Sequence, residues 1–566
     1  MRVEDVPVWD FETDVIVAGS GIGAMASAIV AHDSKREVLI LEKEAKLGGV
    51  TAWSYGQVWV PNNHVGAAED TGDSRERSLA YLQFMSGGFA EPDLQSTFID
   101  TAAEACRYFG DHARVPWQLC HNFSDYYFPV APGSVAQGRY LDVRPVPGAD
   151  LGADRDRTRL APGVPNGITH DEMFGWGGPA AFSEWDLELL GRRTAEDLRT
   201  MGPGLAAAFI RAALTNRRIR ALTRTPVREL IVDGDGGVAG VRAEREGRDY
   251  FVRARAGVVL AVGGYDHRPD IARSFEDVTE WHSASPTGLD GDNLVMGGEI
   301  GAATAALPAR SLAVLLGYHI PGERFEGNDV WRFTFETGLP GVILVNSAGE
   351  RFADESFYRE WLPKLHHWDG RLQKQANFPV FMIFDEAYRR TYPFGPLPPG
   401  SELPQELIAS ADTPAALGAK LGIDDKALDN TISRFNTMTE RGVDDDFARG
   451  SYPWANFMCG DLRHQPNPNL GPLATPPYYG LPLSMVSAGI NAAGLRFDRH
   501  GRVLHVRGHH IPGLYAVGNS TAHLDTGAGY QSGFANCRGM TWGYIAGRHI
   551  AARTSTGEQA AQAAPV

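Results

Sequence analysis

The sequence predicts an α/β fold in two parts: a doubly wound, largely parallel sheet interrupted by an inserted α+β domain. Three observations predict it. An apolar strand near the N-terminus runs straight into a glycine-rich turn, a strand of the same style returns near the C-terminus, and the middle of the chain carries no nucleotide signature. At 566 residues the chain is too long for one ordinary core. The expected division is an N-terminal part over residues 1–301, an inserted domain over 302–480 and a C-terminal part over 481–566 that rejoins the first.

The first element is the apolar run TDVIVA at 13–18, which ends directly at Gly19. Residues 22–32 read as a helix and 37–41 as a second strand, which together make a βαβ unit. Residues 91–109 and 205–214 are further helix candidates. Residues 139–170, rich in Pro, Gly, Asp and Arg, read as a surface segment or rim. Strands at 227–232 and 238–245 flank the D-G-rich turn at 233–237, a strong hairpin signal. Residues 258–262 form another apolar strand, closed by Gly263-Gly264. Stretches such as GVILVNSAGERF and FPVFMIFDEAYRRTY supply the inserted domain. The style of the first domain resumes at 513–519.

With 69 acidic against 53 basic residues, the net charge of -16 argues against a general nucleic-acid partner. Cys106, Cys120, Cys459 and Cys537 are scattered without metal-ligand spacing, so reduced thiols and no metal are expected. Neither His366-His367, His509-His510 nor His523 has a third ligand at a usable spacing. Residues 1–11 lack an apolar signal core and no run reaches membrane-spanning length, so a cytoplasmic location is the expectation. The alanine-rich tail at 554–566 is expected to fray.

The sharpest motif is VIVAGSGIGAMASAI. Gly19, Gly21 and Ala24 fit G-x-G-x-x-G/A between a strand and a helix, with Ser20, Ile22 and Gly23 completing the loop. Gly19 permits the turn, Gly21 lets a diphosphate approach the backbone, and Ala24 allows close helix–strand packing. The helix N-terminus offers oriented N–H donors to the phosphates. Glu42, eighteen residues beyond Ala24, stands where a carboxylate accepts from ribose hydroxyls. A Rossmann-like dinucleotide site follows.

Further small-residue anchors extend that site. Gly48, Gly49, Thr51, Ala52, Ser54 and Gly56 form one segment, with the hydroxyls of Thr51 and Ser54 expected to face the cofactor. Ala261 with Gly263 and Gly264, Asp292, and Gly518 with Asn519 are the others. Contacts this far apart suit extended FAD better than a nicotinamide cofactor.

These motifs resemble the succinate dehydrogenase/fumarate reductase flavoprotein superfamily, and within it the 3-ketosteroid dehydrogenases. The resemblance implies an FAD domain of the glutathione reductase/fumarate reductase type and adds Lys43 and Val227 to the cofactor contacts. The absence of histidine from GGVTAWSYG implies non-covalent FAD. Ser124-Asp125-Tyr126-Tyr127-Phe128-Pro129 resembles the segment carrying a catalytic tyrosine, which is Tyr126 here. Gly349-Glu350-Arg351-Phe352, leading to Glu355 and Tyr358, resembles the stretch whose tyrosine acts on the α-proton. Gly529-Tyr530-Gln531-Ser532-Gly533 stands where the family holds a ketone oxygen, and Ser532 is counted with the cofactor contacts. Its G-Y-x-S-G form is closer to the Δ4-(5α)-dehydrogenases, whereas the Tyr126 segment is closer to the Δ1-dehydrogenases.

The resemblance implies desaturation of a 3-oxo steroid or related cyclic ketone, by loss of an α-proton and a β-hydride. Tyr530 and the Gly533 N–H would stabilise the carbonyl oxygen, and Tyr126 and Tyr358 would handle the proton. An unidentified electron acceptor or donor is required, and oligomeric state is not readable. Two alternatives use the same residues: an ene-reductase of the fumarate reductase type, and a non-catalytic flavoprotein. Arg351 and Glu355 read as a structural ion pair in preference to the proton-transfer role that arginine and acids have in fumarate reductase-like enzymes, while Tyr478-Tyr479 either line the substrate pocket or brace the domain junction.

Overall fold

The computed structural model describes residues 1–552 apart from 70, 165 and 309–313, so the expected fraying of 554–566 lies outside the described residues. Val15, Ile16, Val17 and Ala18 are fully buried, which makes Phe11–Ala18 an interior strand needing partners on both edges. It pairs in parallel with Val38–Leu41 on one side and with Arg248–Leu260 on the other. Arg220–Leu222 and His510–Ala516 extend the sheet outward, both in parallel register. The C-terminal part of the chain therefore closes the same sheet that the N-terminal part begins.

Arg248–Leu260 is longer than its apolar end at 258–260 announces. Its first half pairs antiparallel with Val238–Arg245, which pairs with Val227–Val232 across the expected turn. That half is apolar only at Tyr250-Phe251-Val252 and is flanked by exposed charged residues, so its apolar run is short. The helix expected at 205–214 is Met201–Ile210, followed by a wider π-type turn over Arg211–Asn216.

Helix Ile22–Asp33 packs along helix Phe534–Ala552 through a line of glycines. A Cβ on Gly539 would lie 2.8 Å from Ile22 Cγ2, one on Gly543 2.6 Å from the Gly23 carbonyl oxygen, and one on Gly547 2.8 Å from Val30 Cβ. The two helices are in backbone contact, and this fixes the first turn of Ile22–Asp33 at the end of its strand.

A second sheet holds seven strands among the described residues. Its central path runs Asn328–Phe333, Val314–Phe325, Tyr478–Ser487, Val380–Asp385, Val342–Asn346, with His282–Ser283 and Ala409–Ala411 added on Tyr478–Ser487. Tyr479 stacks on Phe384 and donates to Glu386 at 2.8 Å, so Tyr478-Tyr479 brace this sheet and do not line the cavity described below.

The described residues of 149–166 are mostly exposed or half-buried, as expected of a surface rim, whereas 139–143 are not. Tyr140–Val143 is a buried strand between Val58–Trp59 and Trp117–Leu119, and Arg139 is fully buried. The charged residues that are buried at 139–143 are paired: Arg139 with Asp73 and Asp125, and Asp142 with His170. Residue type alone does not separate a solvated charge from a paired one.

Gly543→Leu is expected to force the two glycine-lined helices apart, at about 1–3 kcal/mol or more of overpacking cost. Thermal unfolding of the variant should show a clearly lowered Tm, and FAD should be released at a lower temperature than from the parent.

Candidate active site

The turn after Phe11–Ala18 is built on Gly19, whose φ of 104° is left-handed and whose Cβ, if it had one, would sit 2.2 Å from the Ala261 carbonyl oxygen. Gly21 serves a different purpose. A Cβ there would meet only Thr51 Oγ1, at 3.6 Å, so the missing side chain leaves backbone open to the groove. The Ile22 N–H at the helix start donates to Thr51 Oγ1 at 3.0 Å, leaving the Thr51 hydroxyl proton available to a ligand. Glu42 is buried, and burial pushes its carboxyl pKa up. It accepts from the Ser20 hydroxyl and from the Glu44 N–H at 2.8 Å. Lys43 Nζ is held by Asp290 at 2.5 Å and Asp292 at 2.7 Å.

A single cavity of about 630 Å3 connects these groups, within the usual range for small-molecule and cofactor sites. Glu42, Lys43 and Val227 line it together with Gly19, Ser20, Gly21, Ile22 and Gly23. Gly49, Thr51, Ser54, Gly56, Ala261, Gly263, Asp292, Gly518 and Asn519 also line it, and Tyr126, Tyr358, Tyr530, Ser532 and Gly533 share the same space. The Asn519 amide donates to the Gly489 carbonyl at 2.6 Å, while its buried Oδ1 has no partner among the described residues. A glycine cradle open at Gly21, a carboxylate at the second strand and an orphaned acceptor at Asn519 fit an extended dinucleotide.

Four expected cofactor contacts sit behind the wall instead. Ala24 and Ala52 are fully buried core, Gly48 packs against Ala52 and Ala206, and Gly264 packs against Asn491. Their small size is used for packing. The Ser54 hydroxyl donates to the Thr51 carbonyl at 2.9 Å and accepts from the Gly56 N–H at 3.1 Å, so it shapes the turn and does not offer its proton to a cofactor. Ser532 turns toward a tyrosine: Tyr126 Oη lies 2.7 Å from Ser532 Oγ and accepts the Ser532 N–H at 2.9 Å.

The three expected tyrosines converge. Tyr358 Oη donates to Tyr126 Oη at 3.0 Å, their rings meeting edge to face. Trp454 lies against Tyr126 with ring centroids 3.9 Å apart. Burial raises all three phenol pKa values. Tyr126 is pushed only to about 12, because the bonds from Ser532 and Tyr358 and the charge of Arg359 oppose the burial. The Tyr530 hydroxyl and the Gly533 N–H have no hydrogen-bond partner among the described residues, and both residues line the cavity.

Sequence reasoning missed what holds these groups. Asp125 is fully buried and accepts from Arg139 at 2.6 Å, Trp59 Nε1 at 2.9 Å, the Val135 N–H at 3.0 Å and Gln531 Nε2 at 3.2 Å. Gln531 Oε1 in turn accepts from Tyr81 at 2.5 Å. The segment before Tyr126 and the segment after Tyr530 are thereby tied through one carboxylate. Arg351 and Glu355 form the expected buried ion pair, joined by Asp444 and Arg449. Cys120, Asp142 and His170, far apart in sequence, bring ligand-type atoms within 4.8 Å of one another, and His170 Nδ1 lies 2.9 Å from Asp142.

The family model described as "FAD binding domain" matches residues 14–534. The chain belongs to that family. It is accordingly a flavin oxidoreductase with FAD as its cofactor. It is 32% identical to a 3-oxosteroid 1-dehydrogenase of Mycobacterium tuberculosis, an alignment covering 95% of this chain and 98% of the relative. It is 33% identical to a 4-oxocyclohexanecarboxylate 2-dehydrogenase of Sinomonas cyclohexanicum, over 97% and 95% of the two chains. The 3-ketosteroid delta1-dehydrogenase of Sterolibacterium denitrificans, solved with 1,4-androstadiene-3,17-dione, superposes with a TM-score of 0.86 at 29% identity, over 96% of this chain and 99% of that one. No helix among the described residues is long and apolar enough to cross a membrane.

Two outcomes follow for the flavoprotein. Gly21→Val should fold but purify with little flavin absorbance, whereas Gly19→Ala should lose folded protein, since its Cβ meets backbone. Arg139→Met leaves Asp125 buried without its cation and should cost about 3–5 kcal/mol in denaturant unfolding, with Asp125→Asn in the same chain recovering part of the loss.

Proposed function

We propose that this flavoprotein desaturates a six-membered cyclic ketone of the 3-oxo steroid class, removing an α-proton and a β-hydride. The observation that carries the reading is the pairing, in one cavity, of two unpartnered donors with a hydrogen-bonded tyrosine pair. Full-length likeness to a 3-oxosteroid dehydrogenase and to a cyclohexanone carboxylate dehydrogenase supports the ketone as the common element.

The Tyr530 hydroxyl and the Gly533 N–H hold the ketone oxygen, and as neutral donors they stabilise developing negative charge without bringing a net charge into an apolar pocket. Polarising that carbonyl acidifies the neighbouring C–H. Tyr358 Oη receives the α-proton as its own proton passes to Tyr126 Oη, which lies 3.0 Å away. Tyr126 passes its own proton to Ser532 Oγ at 2.7 Å as the Ser532 hydroxyl proton leaves to solvent in the cavity, and the Ser532 N–H steadies the phenol oxygen throughout. FAD, when bound, supplies the acceptor for the β-hydride. An external electron acceptor completes the cycle.

Anaerobic addition of a saturated-ring 3-oxo steroid, and in parallel of 4-oxocyclohexanecarboxylate, should bleach the oxidised flavin band with formation of a ring double bond. Tyr530→Phe should slow bleaching about 10²–10³-fold with folding and FAD content intact. Tyr358→Phe should slow it by about 10²–10⁴-fold, the range for loss of a positioned proton-transfer group. Oxidised flavin unchanged by both ketones, combined with rapid reoxidation of reduced flavin by an enone, would establish the reductase direction instead.

A further inference from the structure

Arg159 is a buried cation whose charge no neighbour fully answers. Its side chain is only 3% exposed, lies over the Trp53 ring at 5.5 Å, and contributes to the wall of the cofactor cavity. One guanidinium nitrogen donates to Glu326 at 3.2 Å, but that carboxylate is 41% exposed and so largely satisfied by water. The buried Nε has no partner among the described residues. Leaving a charged donor of this kind unpaired inside a protein is expensive. Glu42 is near enough for the Arg159 charge to favour its ionised form, but it accepts from Ser20 and the Glu44 N–H and takes no hydrogen bond from Arg159, so Nε stays unpartnered.

The position of Arg159 indicates what answers it. Its backbone N–H donates to the Leu47 carbonyl at 2.9 Å, which lays it alongside the Gly48-Gly49 segment. A Cβ on Gly48 would lie 3.9 Å from Arg159 Cβ, and one on Gly49 would lie 3.5 Å from Gly21 Cα. Arg159 therefore flanks the crease where the open Gly21 backbone, the Thr51 hydroxyl and the start of helix Ile22–Asp33 face the groove. Those groups are uncharged, whereas a dinucleotide's diphosphate brings two negative charges to the same crease.

We propose that Arg159 is the cation that neutralises the diphosphate of bound FAD, supplying the charge that the glycine loop and helix terminus lack. Arginine suits this role because its planar donors match phosphate oxygens and Trp53 fixes its plane. Phe325, beside Glu326, meets Trp53 edge to face at 5.6 Å. The same arginine thus joins the cofactor groove to the hairpin of Val314–Phe325 and Asn328–Phe333.

The test is FAD release from diluted holoenzyme, followed by the rise of free-flavin fluorescence, for the parent, Arg159→Met and Arg159→Lys. Arg159→Met should raise the apparent Kd for FAD at least tenfold at low salt, with Arg159→Lys in between. Added ADP, which carries the diphosphate, should displace FAD from the parent, whereas adenosine should not. Release from Arg159→Met at the parent rate would overturn the proposal. So would equal loss from both variants, which would mark Arg159 as packing for Trp53 alone.

Discussion

The carboxylate of Asp125 is the constraint on which the tyrosine end of the cavity depends. It is fully buried, and burial pushes its pKa up against the opposing charge of Arg139. It stays viable because four donors from four separate parts of the chain converge on its two oxygens. Those donors come from a short strand at Trp59, the loop at Val135, the start of a strand at Arg139 and the C-terminal segment at Gln531. Since Tyr126 follows Asp125 and Tyr530 precedes Gln531, satisfying one buried charge sets the relation between two side chains that face the ketone site. Arg139 is itself held by Asp73 and lies over the Trp59 and Tyr81 rings, so the network is closed rather than open-ended.

The cofactor end is organised by backbone instead. Gly19 permits a turn that would otherwise collide with Ala261, and Gly539, Gly543 and Gly547 let the last helix press against the first. The parallel pairing of His510–Ala516 with Arg248–Leu260 carries Gly518 and Asn519 to the same end of the sheet as Gly19. Residues almost five hundred positions apart thus meet at the carboxyl ends of parallel strands, where open α/β sheets place their ligands.

The cofactor half was legible in the sequence because its determinants are local. G-x-G-x-x-A after an apolar strand, an acid at the next strand and a hairpin with D-G turns each state their geometry within a few residues. Gly48, Ala52 and Gly264 show the limit of that reading. A small residue signals close approach, but it does not say whether a ligand or another part of the protein approaches. The network around Asp125 was not legible, since its members are scattered from Trp59 to Gln531 and none of them signals the others by spacing. The buried strand at 140–143 was missed for the same reason: paired buried charges and solvated charges have the same composition. Cys120, Asp142 and His170 likewise come together only through the fold.

The order of acidity among the tyrosines follows from what each oxygen accepts. All three phenols are buried, so each resists ionisation, and an isolated buried phenol would be useless as a base. Tyr126 Oη alone receives both a backbone N–H and a neighbouring phenol, which is why it is raised least. Tyr530 receives neither, and burial holds its pKa well above the ordinary phenol value, so it serves as a donor. The same burial that would cripple a tyrosine base therefore improves a tyrosine donor. Hydrogen bonds to one oxygen and their absence at another divide three chemically identical side chains into a proton-accepting pair and a fixed oxyanion ligand, with no ionised side chain among the three.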